Sequence, residues 1–317
     1  MICGGVDIGG TKIEARLFSP ELMTLETRRV ATPTRDLNSF LDALTDQVEW
    51  LQARSGISAK LPIGIAQPGL VDPQSGVAFA ANVPISGRNV AAELAERIGR
   101  ALPAMNDCQA FTLSETHDGA GEGFASVVGL AIGTGVAAGL VLAGVATPRL
   151  NGSAIEIGHV GVPARLLQSH GLPLWRCGCG KLGCFEPYAS GSGLAAIGRH
   201  RLGRSATAEE LFAEASGGAR DCAEVLDEWS ELVGELLYTI QVLLDPDCIV
   251  LGGGVSRAPE IAVRLREALS RVKLGEMRLP QIRVARHGGG SGARGAALMA
   301  RDIAQAAERQ TRGDRRV

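Results

Sequence analysis

Gly5-Val6-Asp7-Ile8-Gly9-Gly10-Thr11-Lys12, followed directly by Ile13-Glu14-Ala15-Arg16-Leu17-Phe18, opens the chain. The second piece alternates with a period of two and reads as a strand, so the two pieces form a hairpin around a glycine turn. The turn nearly imitates a P-loop, but here Thr11 precedes Lys12 and a strand, not a helix, follows. A glycine turn can still cradle phosphates, because bare N–H groups approach the oxygens closely. Asp7 enters the turn where it would face phosphates and their Mg²⁺, an ion that typically takes one or two carboxylates. A plain tight hairpin is the other reading of this motif taken alone.

The pattern then restarts. Residues 127–132, the turn Gly133-Thr134-Gly135, and residues 136–142 make a second apolar–glycine–apolar hairpin. This internal repeat suggests two related α/β domains facing each other across a cleft, each presenting a glycine turn to it. Twenty residues, 127–146, carry no charge, which by length alone suits a membrane span. Gly129, Gly133, Gly135, Gly139 and Gly144 interrupt them, so they read as two buried strands instead. Elsewhere, apolar spacing predicts helices over 36–54, 90–98, 110–117, 207–215, 222–244, 260–270 and 292–305. Strands are expected at 61–66, 248–251 and 281–285, with a third glycine cluster, Gly252-Gly253-Gly254, after the second of these. Residues 309–317 are polar and expected to fray.

In the second half, Glu156-Ile157-Gly158-His159 precedes Cys177-Gly178-Cys179-Gly180-Lys181-Leu182-Gly183-Cys184-Phe185-Glu186. Three thiolates and one imidazole make the closed tetrahedral set that a structural Zn²⁺ takes. The glycines let so short a loop fold back on one ion. Glu156 and Glu186 flank the four ligands, so a metal that pins the loop also pins two acids. Reduced thiols on a loop are the bland alternative. Asn106-Asp107 follows a strand and precedes a helix, a place from which a side chain projects into a cleft; either residue would equally serve as a helix cap.

The 317 residues suit two domains or one large one. With 45% hydrophobic residues and a net charge of −2, the chain has ample core and no electrostatic case for nucleic acid or a membrane surface. Seven cysteines, an odd number with three clustered, argue for a reducing compartment over a disulfide framework. No signal-peptide pattern opens the sequence, and a cytoplasmic protein is expected.

Together these residues resemble the ROK family of sugar kinases, within the actin-like ATPase superfold. The resemblance covers nearly the whole chain. The family's phosphate hairpin is similar to Asp7-Ile8-Gly9-Gly10-Thr11-Lys12, its second hairpin to Ile132-Gly133-Thr134-Gly135-Val136, and its adenosine loop to Leu251-Gly252-Gly253-Gly254-Val255-Ser256. Its zinc signature is matched by Gly158-His159 and by residues 177–186, which is the most specific match. Ala80-Ala81-Asn82-Val83-Pro84, the 160–176 spacer and Ala285-Arg286-His287-Gly288 resemble bacterial N-acetylglucosamine kinases in particular.

The resemblance implies an α/β, two-domain actin-like (duplicated ribonuclease H-like) fold with an interdomain cleft and an inserted zinc loop at 156–186. Its expected domains are 1–117 plus about 300–317, and 118–299. It implies ATP-dependent phosphorylation of the 6-hydroxyl of N-acetyl-D-glucosamine, with N-acetylmannosamine or glucose as same-class rivals. Asp107 would be the base. Gly69, Asn82, Asn106, Glu156, His159 and Glu186 would bind the sugar. Gly5, Asp7, Gly9, Gly10, Thr11, Lys12, Ile132, Gly133, Thr134, Gly135, Val136, Gly139, Gly253 and Gly254 would bind the nucleotide with Mg²⁺. His159, Cys177, Cys179 and Cys184 would hold structural zinc, and a homodimer is expected. His159 would use one ring nitrogen for the metal and the other for the sugar.

Two departures from the family pattern stand out. Ala137 occupies a position where glycine is common, so a methyl would crowd a phosphate or strain a positive-φ residue. Cys108-Gln109 follows Asn106-Asp107 where Ala-Asn is usual, and Cys108 reads as a small buried apolar residue or an oxidisable thiol. A sugar-responsive DNA-binding regulator of the same family would need a helix-turn-helix ahead of the hairpin, and only four residues precede Gly5. A nucleic-acid zinc ribbon would need a second cysteine pair and a basic surround.

Overall fold

The computed structural model describes residues 1–313. In chain order the elements are β1 (Cys3–Ile8), β2 (Lys12–Phe18), β3 (Thr24–Ala31), α1 (Leu37–Arg54), β4 (Ile63–Gln67), β5 (Leu70–Val71), β6 (Ala78–Phe79), α2 (Val90–Ile98), β7 (Ala104–Asn106) and α3 (Asp107–Thr116). Then come β8 (Ser126–Ile132), β9 (Val136–Leu142), β10 (Val145–Ala146), α4 (Ala164–Ser169), α5 (Glu186–Ala189), α6 (Gly191–Leu202), α7 (Ala208–Ser216), α8 (Arg220–Leu244), β11 (Cys248–Gly252), α9 (Ile261–Val272), β12 (Gln281–Val284) and α10 (Ser291–Gly313). The chain packs as two units. Met1–His117, Val145–Ala154 and the chain from Gly289 onward make the first. Asp118–Gly144 and Ile155–Gly288 make the second.

The first unit is built on a sheet of order β3-β2-β1-β4-β7. The β1–β2–β3 meander is antiparallel, whereas β4 and β7 run parallel to β1. Successive β1 residues face opposite sides. A Cβ added at Gly4 would meet the Leu51 side chain of α1 at 3.0 Å, and one added at Gly5 would meet the Ala293 carbonyl of α10 at 1.8 Å. Helix α1 therefore covers one face and α10 the other. The Asp36 cap of α1 accepts from the Ser39 N–H at 2.8 Å, and Phe40, Leu41, Leu44, Val48 and Leu51 form the buried stripe of that helix. Helix α10 approaches the backbone itself: a Cβ at Gly64 would lie 2.0 Å from the Ala296 carbonyl, and one at Gly295 would lie 1.8 Å from the Ala110 carbonyl of α3.

The second unit repeats the scheme with order β9-β8-β11-β12. The β8–β9 hairpin is antiparallel and β11 runs parallel to β8, as β4 does to β1. Its core gathers Phe185, Tyr188, Phe212 and the wholly buried Trp229. No described helix is long and apolar enough to cross a membrane.

Two boundaries differ from expectation. The first unit resumes at Gly289 rather than near 300, because α10 begins at Ser291 and packs along β1 and β4 from its first turn. Residues 145–154 also belong to the first unit. Helix α10 runs through Gly313, so the expected fraying of 309–313 gives way to helix; 314–317 lie outside the described residues. Strand β3 is not legible in the sequence, because an edge strand with no buried residue shows no apolar alternation. Helix α6 is masked by Gly191, Gly193 and Gly198, residues that argue against helix. Here Gly193 and Gly198 are needed for contact, since a Cβ would meet the Tyr188 carbonyl at 2.5 Å or a Leu211 methyl at 2.8 Å.

If α10 lies directly on the sheet, Gly5→Ala forces backbone apart and should cost about 1–3 kcal/mol or more. Gly289→Ala, where an added Cβ meets nothing within 4 Å, is the control. Thermal unfolding should show a drop of several degrees for the first and little change for the second; equal behaviour would contradict the packing.

Candidate functional site

The first unit gathers its candidate residues at the C-terminal ends of β1, β4 and β7. Asp7, the penultimate residue of β1, lies beside Ala66, and Asn106 ends β7 beside Gln67. The turn Gly9–Lys12 is closed by the Gly9 N–H donating to the Lys12 carbonyl at 2.9 Å. Gly10 presses against Asn82, where an added Cβ would lie 2.9 Å from that of Asn82. Gly69 has φ +82°, and a Cβ there would strike the Phe79 carbonyl at 2.2 Å. Asn106 donates to the Gly69 carbonyl at 3.2 Å while its amide oxygen accepts from the Cys108 and Gln109 N–H groups at 2.9 and 3.3 Å. It is therefore both the cap of α3 and the tie that fixes Gly69. Asp107 opens α3, with one carboxylate oxygen accepting from the Cys108 N–H at 2.8 Å. Cys108 itself is buried.

Gly5 is a packing glycine within β1, away from the turn. Lys12 is 3.1 Å from Glu14, a residue outside the sequence-derived site. Glu14 is buried, with 1% of its side chain exposed, and also binds Arg16 at 2.5 Å and Arg29. The register places Asp7, Glu14 and Arg29 in one row across β1, β2 and β3. The legible signal is Lys12, Glu14 and Arg16 at alternate positions, charges that share one strand face. Burial pushes the Glu14 carboxyl up, but hydrogen bonds from Arg29, Arg16 and Lys12 outweigh it and hold it below the usual range. Asp7 has less support. Burial, with the charges of Asp107 and Glu14, raises it to about 7 against the pull of Lys12 and Arg16. Burial also raises Asp107. A buried acid raised this far fits a position beside a cation such as Mg²⁺.

In the second unit, the Gly133–Gly135 turn joins β8 to β9, with the Gly133 N–H donating to the Gly135 carbonyl at 3.0 Å. Ile132 is buried, and Gly139 pairs with Gly129 in mid-strand, so neither side of that pair belongs to the turn. Ala137 is paired with Ala131 in β9 and is not among the positive-φ residues, so the expected backbone strain is absent there. Gly253, φ +82°, packs on the backbone of Ile132. Gly133, Thr134, Gly254, Gly191, Thr207 and Glu209 line a cavity of about 430 Å³.

His159, Cys177, Cys179 and Cys184 place one ligand atom each within 4.8 Å of the others. The Cys177 Sγ is 3.4 Å from His159 Nδ1, and the Cys179 and Cys184 sulfurs are 3.6 Å apart. Bonds of about 2.3 Å to sulfur and about 2.0 Å to nitrogen imply tetrahedron edges of about 3.8 Å between sulfurs and about 3.5 Å between sulfur and nitrogen, so the donor set fits Zn²⁺. The Cys177 N–H donates to the Lys181 carbonyl at 2.8 Å, and positive φ at Gly180 and Gly183 completes the tight loop. Tyr188 anchors the preceding spacer by accepting from the Trp175 N–H and donating to the Pro173 carbonyl, both at 2.8 Å.

The cluster also reaches the second hairpin. Glu186 accepts from the Val136 N–H at 3.2 Å with one oxygen, and its other oxygen is 3.7 Å from Cys177 Sγ. His159 turns Nδ1 toward the thiols and Nε2 toward Glu156, 3.8 Å away.

The fold is that of the actin-like ATPases. The structure matches a ROK hexokinase from Thermus thermophilus with TM-score 0.83 and 32% identity over 96% of this chain and 99% of the other. It matches a ROK-family glucokinase from Streptomyces griseus, in complex with glucose and AMPPNP, with TM-score 0.80 and 28% identity over 95% and 100%. The N-acetyl-D-glucosamine kinase of Salmonella typhimurium is 38% identical across 93% of this chain and 98% of its own. The N-acetylgalactosamine kinase AgaK of Shewanella sp. is also 38% identical, across 93% and 95%. The ROK family model matches residues 3–303, and the chain belongs to the ROK family.

Two outcomes test the site. Folded Asp7 keeps its proton to higher pH than it does in the unfolded chain, so stability without metal or nucleotide should fall as pH rises from about 4 to about 7. Asp7→Asn should then match the parent near pH 4 and exceed it in thermal stability at pH 8; a less stable variant at pH 8 would contradict the buried-acid account. Elemental analysis should find about one zinc per chain, lost in Cys179→Ser and kept in Cys222→Ser. Zinc retained by Cys179→Ser would remove that thiol from the ligand set.

Proposed function

We propose that this chain transfers the γ-phosphoryl group of ATP to the 6-hydroxyl of N-acetyl-D-glucosamine, giving N-acetylglucosamine 6-phosphate and ADP. The observation that carries the reading is the 38% identity, over 93% of this chain, to proteins named N-acetyl-D-glucosamine kinase. Asp107, opening α3 after β7, is the base that takes the 6-hydroxyl proton as that oxygen attacks phosphorus and ADP departs. Burial raises its carboxyl, which makes the carboxylate a stronger proton acceptor. Phosphoryl transfer is mainly positioning and charge stabilisation, so the hairpin amides and Lys12 carry much of the rate.

Asp7 would hold Mg²⁺, which supplies charge neutralisation on the phosphates. Gly69, Asn82, Asn106, Glu156, His159 and Glu186 are the proposed sugar contacts. Of these, Asn106 acts largely by fixing Gly69, since its amide oxygen is taken by the α3 cap. His159, Cys177, Cys179 and Cys184 would hold a structural Zn²⁺ that fixes the tautomer and direction of His159. The protein is proposed to work as a cytoplasmic homodimer, with no nucleic-acid or membrane partner. The seven cysteines, all free thiols, support a reducing compartment.

N-acetyl-D-galactosamine is a second reading, favoured by the equal identity to the Shewanella kinase. The two sugars differ only in the direction of the 4-hydroxyl. A coupled ADP-release assay with Mg²⁺ and ATP across N-acetylglucosamine, N-acetylgalactosamine, N-acetylmannosamine and glucose decides between them. A clear preference for N-acetylglucosamine is expected; preference for the galacto sugar would transfer the substrate assignment, and no turnover with any would reject the kinase reading. Asp107→Asn should bind sugar normally while losing turnover by a factor of roughly 10² to 10⁴; near-normal turnover would remove it as the base.

A further inference from the structure

We infer that Glu209 is a nucleotide-specificity residue that accepts hydrogen bonds from the ribose hydroxyls of ATP. The inference rests on the kinase reading and concerns the second unit alone.

Two cavities meet at this side chain. The first, of about 430 Å³, is lined by Gly133 and Thr134 of the second glycine turn. The second, of about 370 Å³, is walled by Phe212, Ala213, Val255, Ala258 and Pro259. Both share Ala208, Glu209, Gly254 and Val255. The spacing along the row is short: a Cβ built on Gly133 lies 3.9 Å from the Gly254 nitrogen, and one built on Gly254 lies 4.0 Å from a Glu209 carboxylate oxygen. The sequence of surfaces is therefore a bare glycine turn, then a carboxylate, then an apolar slot. A nucleotide has the same order, with phosphates, a sugar bearing two hydroxyl donors, and a flat apolar base.

The chemistry of the carboxylate fits only the middle position. An anion set against phosphates would repel them, whereas ribose hydroxyls offer it two donors. Its neighbour shows the contrast. Glu210 is committed to the capping box of α7, where its carboxylate accepts from the Thr207 N–H at 2.8 Å and the Thr207 hydroxyl accepts from the Glu210 N–H at 3.1 Å. Glu209, one residue earlier, is exposed to the cavity and has no hydrogen bond or ion pair among the described residues. One acid builds the helix start, leaving the other available to a ligand.

The test measures binding of ATP, 2′-deoxy-ATP and 3′-deoxy-ATP to the full chain by calorimetry, together with their KM and kcat values, for the parent and for Glu209→Ala. The parent should bind at least one deoxy analogue about tenfold more weakly than ATP, as expected for a lost hydrogen bond to a charged acceptor. Glu209→Ala should bind all three alike, with ATP KM raised and kcat nearly unchanged. A merely structural role would weaken the three nucleotides together and keep the ratio, which would overturn the assignment. So would a parent that binds ATP without discriminating the deoxy forms. A parent that binds no ATP at all would overturn the kinase reading as well, which separates the two failures.

Discussion

The carboxylate of Glu186 stands between the metal-ligand cluster and the second glycine turn, 3.7 Å from Cys177 Sγ and 3.2 Å from the Val136 nitrogen. Much of the second unit follows from that position. A Cβ on Gly135 would fall 2.5 Å from a Glu186 carboxylate oxygen and so displace it, and Gly158 must lack one because it would fall 2.3 Å from the Val136 carbonyl. The turn that would meet phosphates and the loop that would meet a sugar are thus one packed body. A metal in the four-ligand set needs no chemistry of its own. It would replace the loose contacts of three thiols and an imidazole with fixed bonds, and so would fix Glu186 and His159 as well.

In the first unit the positioning comes from a helix packed onto glycines. Helix α10 is admitted onto the sheet by Gly5 and Gly64, and against α3 by Gly295. That approach brings Gly292 against Asp7, where an added Cβ would lie 2.6 Å from the carboxylate. Asp7 is thereby buried and its acidity weakened, while Glu14, its partner across the β1–β2 pair, is held ionised by three cations. The contrast is one of solvation against pairing: both acids are desolvated, and only the one with direct hydrogen-bonded partners stays strongly acidic. An acid poised near neutrality beside a glycine turn gains from a cation more than an already paired one would.

The sequence carried the hairpins, the repeat and the ligand set, because each rests on local spacing. The alternation of residues 13–18, the second hairpin at 127–142 and the His159–Cys184 set all correspond to what the chain forms. Features that depend on tertiary contact were not legible. The sequence offers Asn106 as a helix cap or a sugar contact, and it is the cap; its further tie to the Gly69 carbonyl, 37 positions away, was not legible. Gly5 reads as part of a phosphate motif, yet the space of its missing side chain is filled by the Ala293 backbone near the far end of the chain. Glu209 carries no motif; the capping box claims Glu210, and the meeting of two cavities marks out Glu209.

The central claim is that a metal held by His159, Cys177, Cys179 and Cys184 would orient the groups proposed to bind the sugar. Calorimetric titration of N-acetyl-D-glucosamine into zinc-loaded protein, chelator-stripped protein and the stripped protein reloaded with zinc addresses it most directly. The account predicts an affinity lower by about 10- to 100-fold after stripping, with full recovery on reloading. Equal affinity in stripped and loaded protein, with circular dichroism confirming that the chain stays folded, would contradict it.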